Sequence, residues 1–145
     1  MPVAKLSAVA KFCTVINCID GRVQSPVNDF LRERFQAEYV DTVTEAGVVL
    51  YLAEAADGHR EMIPEVIATL KSVNISVDAH QSSQIAIVAH SGCARNPIPD
   101  EEQHEELRKA VKFLRGHYPD LEVIGLWADI SGAQPVVSEF VAARA

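Results

Sequence analysis

The chain alternates short unbroken apolar runs with stretches whose apolar residues recur every three or four positions. Phe12 to Ile16 and Ile85 to Ala89 are runs of the first kind. Strands of a parallel sheet are covered on both faces and read as continuous apolar segments. Tyr39 to Val43, the segment "LEVIGLWAD" and a short stretch near Val136-Val137 read as further strands. Between them lie helical patterns. Ser25-Pro26 reads as a cap followed by a proline at the first helical position, opening a helix through Phe35 with Phe30, Leu31 and Phe35 as its apolar stripe. "VVLYLAEAADG" starts a short helix stopped at Gly58, and Pro64 opens a longer one with Val66, Ile67, Leu70, Val73 and Val77 at helical spacing. Asp100 begins a fourth helix, with Gln103 as capping-box partner and Leu107, Ala110, Val111 and Leu114 as its buried face.

This alternation predicts an α/β protein: a single three-layer domain with a mainly parallel sheet of about four strands plus a short edge strand. At 145 residues one domain spanning 1–145 is expected, since such a chain can bury roughly two-thirds of its unfolded surface. In open sheets of this kind ligands sit beyond the carboxyl ends of the strands, where the strand order reverses.

Two strand ends carry candidate chemistry. Asn17-Cys18-Ile19-Asp20-Gly21-Arg22 follows the first strand, and His90-Ser91-Gly92-Cys93 closes the third. Either cluster alone reads most simply as a buried thiol and a strand-end polar residue. Together, two cysteines and a histidine form the soft donor set of a zinc site with three protein ligands and one open position. That reading requires the first and third strands to be neighbours. Asp20 and Arg22 add a carboxylate and a guanidinium able to pair in bidentate fashion. As a mere surface ion pair they would be worth about 0 to 1 kcal/mol.

Composition narrows the function classes. Three cysteines is an odd count, which argues against a disulfide framework and suits a reducing compartment. No apolar run approaches the roughly 20 residues of a membrane span, and the N-terminus lacks the apolar core and cleavage site of a signal peptide. The expectation is therefore a cytoplasmic protein without a membrane partner. Thirteen Lys and Arg against 20 Asp and Glu give a net charge of −7, and with no basic patch nucleic acid is not expected as a partner.

"CIDGRV" resembles the Cys-x-Asp-Ser-Arg motif of the β-class carbonic anhydrases, and "HSGC" resembles their His-x-x-Cys. "EVIGLWADISGAQPV" is similar to their closing segment, and "EAG" stands where the family carries Asn-Ala-Gly. The likeness runs in order from about residue 12 to 138. "HSGCARNP" looks closer to a short branch than to the well-known enzymes. The resemblance implies a β-carbonic-anhydrase-like fold and Zn²⁺ held by Cys18, His90 and Cys93. Asp20 and Arg22 would be the catalytic pair, and Ala46 and Gly47 would border the substrate. Asp20 would either take the fourth zinc position, in a closed state, or pair with Arg22 and leave that position to water. The implied activity is reversible hydration of carbon dioxide to bicarbonate by a zinc-bound hydroxide, in a homodimer or higher homo-oligomer. Two alternatives stand beside it: hydrolysis of carbon disulfide or carbonyl sulfide, and a zinc-binding regulatory domain without turnover.

The chain departs from the family pattern in places. Gly21 stands for the usual serine and Thr44-Glu45 for Arg-Asn. Ala94 stands for a glycine, which would strain a backbone that needed positive φ there. Outside the motifs, Cys13 reads as a core thiol. His80 and His104 read as solvated helix positions, and His59 and His117 as helix-end residues. Trp127 is expected at a strand end or interface. Arg108, Lys109, Lys112 and the "EEQHEE" run read as solvated helix surface.

Overall fold

The computed structural model describes residues 10–144. Its sheet has five strands, β1 (Phe12–Asn17), β2 (Tyr39–Thr44), β3 (Gln84–His90), β4 (Glu122–Asp129) and β5 (Val136–Val141). They lie in the order β2-β1-β3-β4-β5. The pairings β1–β2, β1–β3 and β3–β4 are parallel, and β5 runs antiparallel to β4 as an edge strand. The helices are α1 (Ser25–Phe35), α2 (Val48–Ala56), α3 (Pro64–Ala79) and α4 (Asp100–His117), and a short 3-10 turn covers Gly21–Val23.

The apolar runs behave as buried parallel strands should. Side chains alternate between faces, so Ile85, Ile87 and Ala89 meet α2, α3 and α4 through Leu52, Val66, Val73, Leu107 and Leu114. Ala86 and Val88 face the other way, joining Val27, Leu31 and Phe35 of α1. The result is three layers, with α1 on one face and the other helices opposite. Cys13 lies with the α1 core and is fully buried.

Chain order explains this division. From β1 the chain passes through α1 to β2 on one side, then returns across β1 to reach β3 on the other side. Right-handed crossovers running in opposite directions place their helices on opposite faces. The strand order therefore reverses between β1 and β3, which pair with Ile16 opposite Ile87.

Several local expectations are corrected. Ser25 is the first residue of α1 rather than its cap; Gln24 precedes the helix and no side chain caps it. Asp100 likewise makes no capping bond, and Pro99 precedes α4. Gln103 lies one turn before Leu107 on the buried stripe, and its Nε2 donates to the Asn96 carbonyl at 2.9 Å. The "EEQHEE" run is thus not uniformly solvated. His104 is packed against the edge of Trp127, centroids 4.3 Å apart, and stacks on Phe140 at 4.4 Å. β5, remote in sequence, supplies that second ring.

His80 also finds partners. Its Nδ1 lies 2.6 Å from Asp41 Oδ2 and its ring stacks on Phe12. Lys109 pairs with Asp57 and Arg108 with Glu105 on the outer face of α4, as surface positions do. Arg34 joins α1 to both Glu122 and Glu139, tying that helix to the far side of the sheet. Among the described residues no helix is long and apolar enough to cross a membrane.

Candidate metal centre

Cys18 is the first residue after β1, and His90 is the last of β3. Because these strands are parallel neighbours, both residues emerge at the same end of the sheet, where the order reverses. The chain then turns through Ser91 and Gly92, the latter at φ +61°, and brings Cys93 back to the same point. The left-handed residue is Gly92; Ala94 does not adopt positive φ, so the strain expected there is absent.

The three side chains converge. The Cys18 and Cys93 sulfurs lie 4.0 Å apart, and one ligand atom from each of Cys18, His90 and Cys93 falls within 4.8 Å of the other two. A tetrahedral zinc ion with Zn–S bonds of about 2.3 Å would separate two sulfurs by about 3.8 Å. The cluster therefore needs little movement to close on such an ion. All three residues are buried, and both thiols are free.

The histidine is already oriented for ligation. His90 Nδ1 is 2.7 Å from the Ser91 carbonyl oxygen, and a carbonyl can only accept, so Nδ1 carries the proton. Nε2 then bears a lone pair, yet it is buried with no hydrogen-bond partner. Leaving such an atom unpaired is costly, and metal-binding histidines characteristically donate their other nitrogen to a carbonyl. An ion at Nε2 resolves the deficit.

The thiols differ. Burial pushes Cys18 up, but the His90 ring and the backbone N–H groups of Gly47 and Asp20 outweigh it and bring the thiol down to about 7. Burial pushes Cys93 up, and the neighbouring Cys18 adds to this. The Cys93 thiol therefore keeps its proton beside an anionic Cys18, and both sulfurs can be thiolates together only with a cation between them. Cys13 is unlike either: burial pushes it up to about 11, and it stays with the α1 core.

The loop after Cys18 is fixed by its own hydrogen bonds. Gln24 Nε2 donates to the carbonyls of Cys18 at 2.7 Å and Asp20 at 2.9 Å, while Asn17 Nδ2 donates to that of Val23. The resulting 3-10 turn places Arg22 beside Asp20. Arg22 Nε reaches Asp20 Oδ1 at 3.0 Å and Nη2 reaches Oδ2 at 2.7 Å, and the Arg22 backbone N–H also donates to Oδ1. These bonds hold the Asp20 carboxyl at about 2, well below the usual range. Asp20 is directed at Arg22 and is not one of the clustered ligand atoms. A Cβ built on Gly21 meets nothing within 4 Å, so the missing serine leaves the turn undisturbed.

Gly47 enters the site through its backbone. Its N–H points at Cys18 Sγ from 3.5 Å, at the N-terminus of α2. It also lines a small cavity of about 10 Å³ bounded by Cys18, His90, Cys93, Val48, Val88, Asn96 and Gln103; Ala46 does not line it. That space is close to one water molecule in size. A larger groove of about 560 Å³, between α3 and α4, contains none of these residues. Gln24 and Asn96 leave no motif in the sequence, and Gln103 reads there only as a capping residue, because their role is to bond backbone carbonyls or a buried neighbour.

A family model described as "Putative carbonic anhydrase" matches residues 8–138, and the chain belongs to that family. No curated protein matches the sequence. Among solved structures, the carbonic anhydrase from Glaciozyma antarctica is 14% identical, with a TM-score of 0.58 over 97% of this chain and 96% of that one. β-Carbonic anhydrase isoform I from Trichomonas vaginalis is 12% identical, with a TM-score of 0.57 over 90% and 83%. A structure from Sordaria macrospora, described among two tetrameric β-carbonic anhydrases, is 15% identical, with a TM-score of 0.53 over 99% and 87%. At such identities the likeness is one of fold, and that fold is the β-carbonic anhydrase fold.

Proposed function

We propose that this protein is a zinc-dependent lyase that interconverts carbon dioxide and bicarbonate. Cys18, His90 and Cys93 hold the metal, and Asp20 and Arg22 are the catalytic pair. The observation that carries the reading is the unpartnered, buried His90 Nε2 facing two thiols beside a carboxylate already committed to an arginine. When bound at such a site, zinc lowers the pKa of a water towards about 7 and so supplies a nucleophile at neutral pH.

The chain's own residues supply the rest. Asp20, ionised at neutral pH, keeps lone-pair capacity on Oδ2 after accepting from Arg22 Nη2. It can accept a proton bond from the attacking water and orient it. Arg22 holds Asp20 away from the ligand atoms, which keeps the fourth position free. Val48, Val88 and Ala89 give the adjoining space an apolar lining, which suits a small molecule without a net dipole and excludes larger substrates. Family membership supports the same reaction class.

The proposal extends to assembly as a homodimer or larger homo-oligomer; the tetrameric neighbours from Sordaria macrospora support that reading. The reaction is tested by loss of ¹⁸O label from bicarbonate, followed by mass spectrometry, with zinc-replete and chelator-stripped protein compared. Accelerated label loss only in the zinc-replete sample is expected. Equal rates in both samples, matching buffer, would refute the reaction.

A further inference from the structure

The Arg95 side chain lies across the first turn of α2. Gly47 leads into that helix at φ +62°, and a Cβ built on it would stand 2.9 Å from Arg95 Cγ and 3.1 Å from Arg95 Cβ. The arginine stem therefore occupies the space directly over the Gly47 backbone. Four positions on, one helical turn along the same face, the Tyr51 hydroxyl accepts a 2.8 Å hydrogen bond from Arg95 Nη2. The guanidinium carbon also sits 5.5 Å from the Tyr51 ring centroid, within cation–π range. Tyr51 is buried and Arg95 exposed. An exposed arginine ordinarily keeps its rotamer freedom; this one is anchored at its tip and pressed down along its stem.

The site gives that arrangement a purpose. Arg95 leaves the turn two residues after Cys93, and the backbone beneath its stem carries the N–H that points at Cys18 Sγ. A side chain from one ligand loop thus fixes a hydrogen bond to the sulfur of the other. Gly47 is required twice over: any other L residue would meet positive φ and would displace Arg95.

We infer that Arg95 and Tyr51 are positioning residues that hold the Gly47 N–H on the Cys18 sulfur and so set how much electron density that sulfur gives a metal. This rests on the reading of Cys18, His90 and Cys93 as metal ligands. An N–H donor withdraws density from a thiolate, and partners of this outer kind govern ligand orientation and metal affinity. Releasing the clamp leaves Cys18 a stronger, less well-directed donor.

The test compares the parent with Tyr51→Phe, Arg95→Ala and Arg95→Lys, each loaded with Co²⁺. Tyr51→Phe removes one hydroxyl and keeps the ring, so it preserves the fold even if the arginine variants do not. The readouts are the near-ultraviolet thiolate-to-cobalt charge-transfer band and Zn²⁺ affinity by competition with a chromophoric chelator. The band should move to longer wavelength in Tyr51→Phe and further in Arg95→Ala, with Arg95→Lys between the parent and Arg95→Ala. Zinc should bind about 10-fold more weakly to Arg95→Ala. Coincident bands and equal zinc affinities across the set overturn the clamp and leave the metal reading standing. A parent that takes up neither cobalt nor zinc overturns the metal reading, and the clamp with it.

Discussion

Arg22 Nη2 lies 2.7 Å from Asp20 Oδ2 while Arg22 Nε lies 3.0 Å from Oδ1, so the guanidinium grips both carboxylate oxygens across a single 3-10 turn. Arg22 is more than half exposed, where an isolated pair would contribute little stability. Removing it should therefore spare the fold and show in the chemistry. In Arg22→Ala the ionised Asp20 is left beside the metal position and should swing onto it. Asp20→Asn should lose the acceptor that orients water. Both variants should retain zinc and lose about 100-fold or more in hydration rate, the scale of a positioned acid–base group. Metal analysis and kinetics on the same samples check this; parental rates in both would make the pair ornamental.

The cysteines should separate by role. Cys18→Ser and His90→Ala should each lower bound zinc well below the about one equivalent expected of a three-ligand site. Cys13→Ser should retain it, because Cys13 lies in the α1 core with its thiol pushed up to about 11 by burial. Elemental analysis after purification without added metal is the measurement. Zinc loss in Cys13→Ser alone would reverse the assignment.

Gly47→Ala should be destabilising. The new Cβ would face positive φ and meet the Arg95 stem at 2.9 Å; backbone strain of this kind costs about 1–3 kcal/mol. A lower urea midpoint together with weakened zinc binding is expected, whereas Gly21→Ala, with open space around the new methyl, should match the parent in both.

Glu106 should set part of the dependence of stability on pH. Burial raises its carboxyl above the usual value, despite the 2.7 Å bond from Asn96. The folded chain therefore holds that proton more tightly than the unfolded one. This contribution is unfavourable at neutral pH and is relieved as pH falls through the folded value towards the unfolded one. Glu106→Gln keeps an acceptor for Asn96 and removes the charge. Its urea midpoint should exceed the parent's at neutral pH and converge on it near about pH 4. A lower midpoint at neutral pH would show that the carboxylate itself is favourable there.

Much of this arrangement is legible in the chain. Continuous apolar runs ending at Cys18 and His90 mark buried parallel strands, and the strand-end location of all three metal candidates follows from them. Their meeting depends on β1 lying next to β3, a matter of strand order that local pattern leaves open. What stays hidden depends on distant elements. His104 looks solvated until β5 brings Phe140 against it, and Gln103 looks like a capping residue until the helix turns it inward towards Asn96. In the sequence Gly47 stands out only through the family likeness of "EAG", as a border to the substrate. Its bond to Cys18 and its cover by Arg95 are three-dimensional facts. The strain expected at Ala94 is absent because the left-handed position falls at Gly92.

The most direct test is stopped-flow hydration of carbon dioxide with a pH indicator, using zinc-replete parent, Cys18→Ser and Arg22→Ala of known zinc content. The parent should hydrate well above the buffer rate. Cys18→Ser should fall to the buffer rate along with its zinc, and Arg22→Ala should fall while keeping its zinc. A zinc-replete parent indistinguishable from buffer would contradict the assignment of carbon dioxide hydration to this site.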